Sequence, residues 1–276
     1  MLFGICVAIV VTLGFQIGSG LLIQPFLDDI SAPLVRPLLS FAYLMLMVWP
    51  VWMLASRQSP DPGGFLRLGP VPLRFHIAAL VGTLALSQLL QSYLLVQELY
   101  LVPPEFTETY RLLDREAENF YARLLIWNDG FGLLLSLMAG ALMPAVAEEL
   151  LFRGLAQRSF EQRLRPAIAI LLTAFLFAAL HLRPVTFIPL LFLGLFLGHV
   201  VRRTGSVQPA MLGHFIFNAS AILALYEPVA ERAGRGEAIR HPDDLLTMLP
   251  VTALALVIFI LSLWRINSAP PPAAGQ

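Results

Sequence analysis

The sequence has no lysine and few charges of either sign. Arginine supplies all 18 basic residues, 18 acidic residues balance them, and charged residues make up 13% of a 276-residue chain that is 58% hydrophobic. A chain with so little charge lies outside the range of soluble globular domains. It also offers no basic patch, so the sequence predicts no nucleic-acid partner.

Cysteine is almost absent as well. The single cysteine, Cys6, lies in the first apolar run, so intrachain disulfide bonds and cysteine-cluster metal sites are excluded. No positively charged segment precedes that run. We therefore expect a retained membrane span there rather than a cleaved signal peptide.

Long hydrophobic runs take the place of charge. Blocks of about 17 to 25 apolar residues have the length that crosses a bilayer as a helix. The predicted fold class is all-α, a polytopic transmembrane helical bundle in contact with the lipid bilayer. We predict about eight spans, near residues 2–23, 34–55, 76–97, 131–152, 166–182, 185–201, 208–226 and 245–264.

The connections between these spans differ in composition. The segment 98–129 mixes charged and apolar residues at helical spacing, which predicts a short interfacial helical segment. The end of the chain is rich in proline and alanine, which is typical of disorder. We divide the chain into the N-terminal spans with this connector (1–129), a core that carries the motifs below (130–226), an outer loop with the last span (227–267) and a disordered tail (268–276).

Arginines in the connections predict the orientation. Nine lie in connections on the side of the N-terminus, and seven lie in the opposite connections. Because positively charged connections stay in the cytoplasm, we expect both termini to be cytoplasmic. The localisation that we predict is an integral, multi-pass protein of the bacterial inner membrane.

Ionisable residues inside the spans mark the candidate site, since charges at membrane depth are costly. Glu148 and Glu149 are followed by Arg153 in the fourth span. Glu149 and Arg153 are four residues apart and can form an ion pair on one helical face, whereas Glu148 points about 100° away. Glu148 is thus left to act as a general base. A purely structural network of the three is the alternative.

Two later spans each carry a histidine. His181 closes the fifth span one turn after Phe177, and His214 lies one turn before Asn218 in the seventh. An imidazole and an amide at one spot suit an oxyanion or a bound water, although helix–helix hydrogen bonding explains the pair equally well.

The three motifs together, E-E-x-x-x-R, F-x-x-x-H and H-x-x-x-N on separate spans, are far more specific than any one of them. The chain resembles the CPBP intramembrane proteases, which include the type II CAAX prenyl endopeptidases and the bacterial Abi or bacteriocin-processing proteins. The resemblance covers about residues 130–226. It implies an intramembrane endopeptidase that cleaves at the cytoplasmic side of the membrane, with a membrane protein or lipidated peptide as substrate.

The resemblance also implies a role for each residue. Glu148 and His181 would activate a water, and His214 and Asn218 would stabilise the tetrahedral oxyanion. The supporting residues would be Glu149, Arg153 and Phe177.

The need for a metal stays open at this point. Glu148, His181 and His214 could hold zinc as three ligands with an open position for water. The same residues work without metal as a glutamate base with a histidine partner. We favour the metal-free alternative and predict no firm cofactor.

Two other functions compete with proteolysis. In a proton- or solute-coupled transporter, Glu148, His181 and His214 would form a proton relay, but the sequence shows no internal repeat typical of such proteins. A non-catalytic membrane immunity protein would keep the scaffold without the chemistry.

The sequence also predicts three details of the backbone. The fourth span should continue as a helix to about Leu164. Gly194 and Gly198 form a small-xxx-small pattern, which predicts close helix packing. To bring His214 to the depth of the other site residues, we predict that residues 204–209 are extended and carry the chain on the order of 20 Å into the membrane.

Overall fold

The computed structural model describes residues 2–29, 34–126, 130–226 and 242–268. Regular structure in these ranges is entirely helical, which confirms the all-α prediction. The predicted outer loop and nearly all of the predicted tail lie outside the described residues. The main helices are α1 Leu2–Ile23, α2 Val35–Gln58, α3 Leu73–Leu101, α4 Thr107–Leu125, α5 Gly130–Glu161, α6 Pro166–Leu180, α7 Phe187–Thr204, α8 Gln208–Leu225 and α9 Pro242–Asn267.

Seven of these helices, all except α4 and α6, are long and apolar enough to cross a membrane. The polytopic bundle is thus confirmed, with one difference from the prediction. The fifth predicted span is a helix of only 15 residues, about 22 Å long, which is less than the roughly 30 Å of a hydrocarbon core. α6 ends early because the chain leaves the helix at His181 and turns through Leu182, whose φ is 54°.

Helix α5 lies at the centre of the bundle. Its 32 residues continue to Glu161, past Arg153, close to the predicted end. Residues Leu150–Gln157 form wide π-helical turns, and all eight are buried. They are buried because α1, α2, α6 and α7 all pack around this half of α5. Such π-helical turns occur frequently at functional sites.

Helices α6 and α7 approach closely through the glycines of α7. A Cβ atom at Gly194 would lie 2.9 Å from the Cβ of Ala174. A Cβ atom at Gly198 would lie 2.9 Å from Oε1 of Gln157 and 3.1 Å from Ile170. These distances agree with the close packing that the small-xxx-small pattern predicts.

Helix α9 packs along α3 and leaves most of its own surface exposed. The Ser262 hydroxyl donates a hydrogen bond to the Ala78 carbonyl at 2.7 Å, and the hydroxyls of Ser92 and Thr252 are 2.7 Å apart. α9 therefore forms an outer, lipid-facing wall of the bundle.

One end of the bundle, which we call the arginine end, contains the turns 162–165 and 205–207 and the loop 59–72. Nine arginines lie at or near it: Arg57, Arg67, Arg74, Arg158, Arg163, Arg165, Arg202, Arg203 and Arg265. The loop packs against the turns through an Arg67–Glu161 ion pair and through four hydrogen bonds to backbone carbonyls, from Arg158 to Phe65 (2.8 Å), Val207 to Arg67 (2.9 Å), Ser206 to Gly69 (2.7 Å) and Gln208 to Leu68 (2.9 Å).

The predicted extended climb over 204–209 is wrong. α7 continues to Thr204 and α8 begins at Gln208, so only 205–207 lie outside the helices. Gly205 adopts a left-handed backbone with φ 71°, which reverses the chain within three residues. Pro209 fits the first turn of α8, where a backbone N–H is not needed. α8 itself therefore carries His214 to its depth.

The opposite end, which we call the α4 end, is formed by α4 and the segment 181–186. α4 confirms the interfacial helix predicted within 98–129. It exposes apolar side chains such as Leu112 and Phe120. The predicted segment began at Glu98, but Glu98 belongs to the last turn of α3, where it pairs with Arg111 at 2.9 Å.

Replacement of Gly194 by leucine tests the packing of α6 on α7. The added side chain would meet Ala174, so we expect Gly194→Leu to cost about 1–3 kcal/mol of stability by overpacking. Gly14→Leu is the control, because no atom lies within 4 Å of a Cβ at Gly14. Thermal unfolding in detergent compares the two variants. Equal melting temperatures would contradict the close packing.

Candidate active site

The predicted site residues come together from three helices. α5 supplies Glu148, Glu149 and Arg153, and α8 supplies His214 and Asn218. The end of α6 supplies Phe177 and His181. α5 packs against both α6 and α8.

A buried chain of polar groups links α5 to α8. Arg153 Nη1 donates to Glu149 Oε1 at 2.8 Å, and His214 Nδ1 lies 2.9 Å from the same oxygen. The exposed fractions of the Glu149 and Arg153 side chains are 0%, and that of His214 is 3%. A carboxylate only accepts hydrogen bonds, so Nδ1 of His214 carries its hydrogen. Nε2 of His214 is left to face the site.

His181 is oriented in a similar way by its own helix. Its Nδ1 lies 2.7 Å from the Phe177 carbonyl oxygen. Because a carbonyl can only accept, Nδ1 carries the hydrogen, and Nε2 of the neutral ring is an acceptor. That atom lies 3.7 Å from Glu148 Oε2.

Both imidazoles therefore face Glu148. Nε2 of His214 lies 4.0 Å from Glu148 Oε2, the same oxygen that lies 3.7 Å from Nε2 of His181. This carboxylate oxygen is buried and has no hydrogen-bond partner among the described residues. The two distances are too long for direct hydrogen bonds. They suit a water that bridges the carboxylate and an imidazole.

Phe177 supports both sides of this arrangement. Its ring centroid lies 4.6 Å from that of His181 and 5.7 Å from that of His214. Arg153 Cζ lies 4.6 Å from the same ring, a cation–π contact. A single aromatic ring thus contacts the buried guanidinium and both histidines.

Asn218 lies one turn after His214 on the same helix and is half-buried. Its side chain forms no hydrogen bond with the residues that the structure describes, so its amide is available to a ligand.

The donor atoms are spaced more widely than the ligands of a tetrahedral zinc ion. Zinc bound tetrahedrally at about 2.0–2.1 Å brings its ligand atoms to about 3.3 Å from one another. Glu148 Oε2 is 3.7 Å and 4.0 Å from the two Nε2 atoms. In the described ranges, no group of three histidine, cysteine or acidic residues is arranged closely enough to hold a metal ion as the side chains stand.

Two residues of the N-terminal spans reach the site and were not predicted. Gln16 Nε2 donates to the Leu180 carbonyl at 2.7 Å, next to His181. Tyr43 interacts electrostatically with Glu148 and packs on Phe15, with ring centroids 4.1 Å apart. The only sequence signal was the presence of a glutamine within the apolar α1.

The site lies between the two ends of the bundle. Glu148 is about 20 Å along α5 from its end at Glu161 and about 27 Å from its beginning at Gly130. α6 begins at the arginine end and carries His181 about 22 Å away, at its far end.

Residues 130–220 match the family model of Type II CAAX prenyl endopeptidase Rce1-like proteins. The match confirms the resemblance to CAAX proteases over this segment and supports a membrane-embedded protease. The Rce1-like segment contains α5, α6, α7 and most of α8 but not Gln16 or Tyr43. Neither a curated protein nor a solved structure matched the chain.

Replacement of Arg153 tests the buried polar chain. Arg153→Met leaves the Glu149 carboxylate buried without its cation, so we expect a loss of about 3–5 kcal/mol in the free energy of unfolding. The double variant Glu149→Gln/Arg153→Met removes both charges and should recover part of this loss. Denaturant unfolding in mixed micelles measures both. A double variant less stable than the single one would contradict this account.

Replacement of Gln16 tests the contact between α1 and the end of α6. Gln16→Met keeps the length of the side chain but removes the donor to the Leu180 carbonyl. We expect kcat to fall while KM changes little, because the turn that holds His181 loosens. Thr12→Val is the control, since the buried Thr12 hydroxyl has no partner in the described part of the chain. Equal kcat values for the two variants would rule out this role.

Proposed function

We propose that the protein hydrolyses a peptide bond of a membrane-associated substrate, with Glu148 as the general base. The observation that carries this proposal is the convergence of the Nε2 atoms of His181 and His214 on Glu148 Oε2, at 3.7 Å and 4.0 Å. A water between these groups can lose a proton to Glu148, while His181 accepts a hydrogen bond from it and orients it.

The attacking oxygen bonds to the carbonyl carbon, and the carbonyl oxygen becomes an oxyanion. Protonated His214 can donate from Nε2 to this oxyanion, and Asn218 can donate from its amide. The proton held by Glu148 then passes to the leaving nitrogen as the C–N bond breaks. One water is consumed, and an acid and an amine are formed.

The buried neighbours orient His214. Glu149 accepts from Nδ1 of His214 at 2.9 Å, which turns Nε2 towards the site. Arg153 neutralises the same carboxylate from the other side at 2.8 Å. Glu149 and Arg153 therefore act through His214 and need not touch the substrate.

The substrate that we propose is a membrane protein or a lipidated peptide, and the mechanism needs no metal. Zinc bound by Glu148, His181 and His214 remains the alternative that a chelator tests. The family description names a prenyl endopeptidase, but no contact described above requires a prenyl group.

Cleavage of a pooled library of membrane-protein termini and lipidated peptides tests the proposal. We expect Glu148→Gln and His181→Ala to lower the rate about 10²–10⁴-fold through loss of acid–base catalysis. Asn218→Ala should lower it about 10²–10³-fold through loss of an oxyanion donor. Mass spectrometry identifies the products of the purified protein in detergent.

The control variant is His199→Ala, since this histidine bonds Asn267 at the arginine end, 2.9 Å away, and not the site. It should cleave at the wild-type rate, and a zinc chelator should leave that rate unchanged. Loss of cleavage in the presence of the chelator would show that a metal is required and would refute the metal-free mechanism. Folded wild type that cleaves nothing would refute the proposed function.

A further inference from the structure

A groove between α3 and α9 lies on the outer surface of the bundle. Its volume is about 350 Å³, within the range of about 300–1,000 Å³ that small-molecule pockets occupy. The two helices run antiparallel, joined by the hydrogen bond from Ser262 to the Ala78 carbonyl and by the one between the hydroxyls of Ser92 and Thr252. Ser262 and Ala78 are buried and form the floor of the groove.

The two helices contribute lining residues with the same spacing. α3 contributes residues 74, 77, 78 and 81, and α9 contributes residues 258, 261, 262 and 265. Because residues three, four and seven positions apart share one helical face, each helix turns one such face towards the groove. Each face has an arginine at one end. The antiparallel packing brings both of them, Arg74 and Arg265, to the arginine end.

Away from the two arginines the lining is apolar. Over about 10 Å, two turns of each helix, it consists mainly of Ile77, Val81, Ile258 and Leu261. The side chains of Ile77 and Leu261 are 53% and 58% exposed, so the groove is open on its outer side. In a membrane that side faces lipid, and an occupant of the groove has an apolar part that lies along these two turns.

The two guanidinium groups lie at the level of the lipid headgroups. Arg74 is the second residue of α3, and Arg265 lies two residues before the end of α9 at Asn267. Trp264, next to Arg265, is 69% exposed, and exposed tryptophans are enriched at the membrane interface. Long arginine side chains near helix ends extend to the same interface.

The end of α9 is held firmly against α7. His199 Nε2 donates to the side-chain oxygen of Asn267 at 2.9 Å, and Arg203 donates to the Asn267 carbonyl. These bonds fix the last turn of α9, which contains Arg265. The position of this arginine at the groove is therefore part of the fold.

The protein supplies no counterion to this pair within the described residues. Arg74 and Arg265 form no ion pair with a described acidic residue. The arginine end has two acidic residues, Asp61 and Glu161. Glu161 pairs with Arg67, and Asp61 accepts a hydrogen bond from a backbone N–H of its own loop at 3.0 Å. The ligand that complements the two arginines is therefore an anion.

We propose that this groove binds an anionic phospholipid, with its phosphate between Arg74 and Arg265 and an acyl chain along the apolar lining. A guanidinium can donate two parallel hydrogen bonds to one phosphate, and basic pockets between transmembrane helices bind such headgroups. A zwitterionic lipid carries its own cation beside the phosphate, so the groove selects lipids of net negative charge. α3 and α9 supply no residue of the candidate active site, and the inference is independent of the proposed function.

Native mass spectrometry tests the selectivity for charge. The purified full-length protein is released from bilayers of equal parts phosphatidylglycerol and phosphatidylcholine, and the lipid that stays bound is identified. We expect the wild type to retain phosphatidylglycerol. Arg74→Gln/Arg265→Gln should weaken this binding about 30-fold, because each arginine near an anionic headgroup contributes about 5-fold.

The matched control is Arg57→Gln/Arg163→Gln. It removes two exposed arginines of the same end that do not line the groove, and it should retain phosphatidylglycerol as the wild type does. Equal loss of this lipid in both double variants would overturn the proposal. Equal retention of the two lipids by the wild type would overturn it as well.

A second pair of variants tests the position of the acyl chain without a change of charge. Val81→Trp fills the groove two turns from Arg74 and should also lower the retention of phosphatidylglycerol. Val10→Trp is its control, because Val10 lies on α1 and is 68% exposed. Unchanged retention in Val81→Trp would contradict a chain in the groove. A dimer without bound lipid that Val81→Trp dissociates would place a second copy of the protein there and overturn the proposal.

Discussion

A carboxylate buried at membrane depth is the constraint on which the arrangement of the helices depends. Glu149 is fully buried and accepts from Arg153 and from His214 through one oxygen. An unpaired ion there would cost several kcal/mol, so α5 and α8 must keep the register that holds these three groups together. This register also brings Nε2 of His214 to Glu148, and the structural ion pair thereby positions the proposed chemistry.

The close approach of α7 serves the same polar groups. Arg153 donates to the Gly194 carbonyl at 3.4 Å, and Gln157 donates to the Gly198 carbonyl at 3.2 Å. A side chain at either glycine would hold α7 away and leave these donors without acceptors in an apolar interior. The small-xxx-small pattern of α7 therefore gives the buried polar residues of α5 access to backbone carbonyls, besides allowing close packing.

Local spacing explains what the sequence could predict, and long-range contacts explain what it could not. Glu149 and Arg153 are four residues apart on one helix, and so are Phe177 and His181. This spacing alone predicts that each pair lies on one helical face. The bond from Gln16 to the Leu180 carbonyl joins residues 164 positions apart, so no helical period reveals it. The depth of His214 was also beyond prediction, because Gly205 turns the chain more tightly than an extended segment and hydrogen bonds fix that turn to the loop 59–72.

The early end of α6 shows why the N-terminal spans belong to the site. A helix that ends at membrane depth leaves carbonyl groups without partners, and irregular backbone is tolerated there only inside protein or beside water. Gln16 of α1 bonds the Leu180 carbonyl at 2.7 Å, and Gln97 of α3 bonds the Val185 carbonyl at 3.0 Å. These two amides satisfy the backbone on both sides of His181. The chain can therefore leave the helix below the membrane surface, and the imidazole gains access to water without exposing the buried pair beneath it.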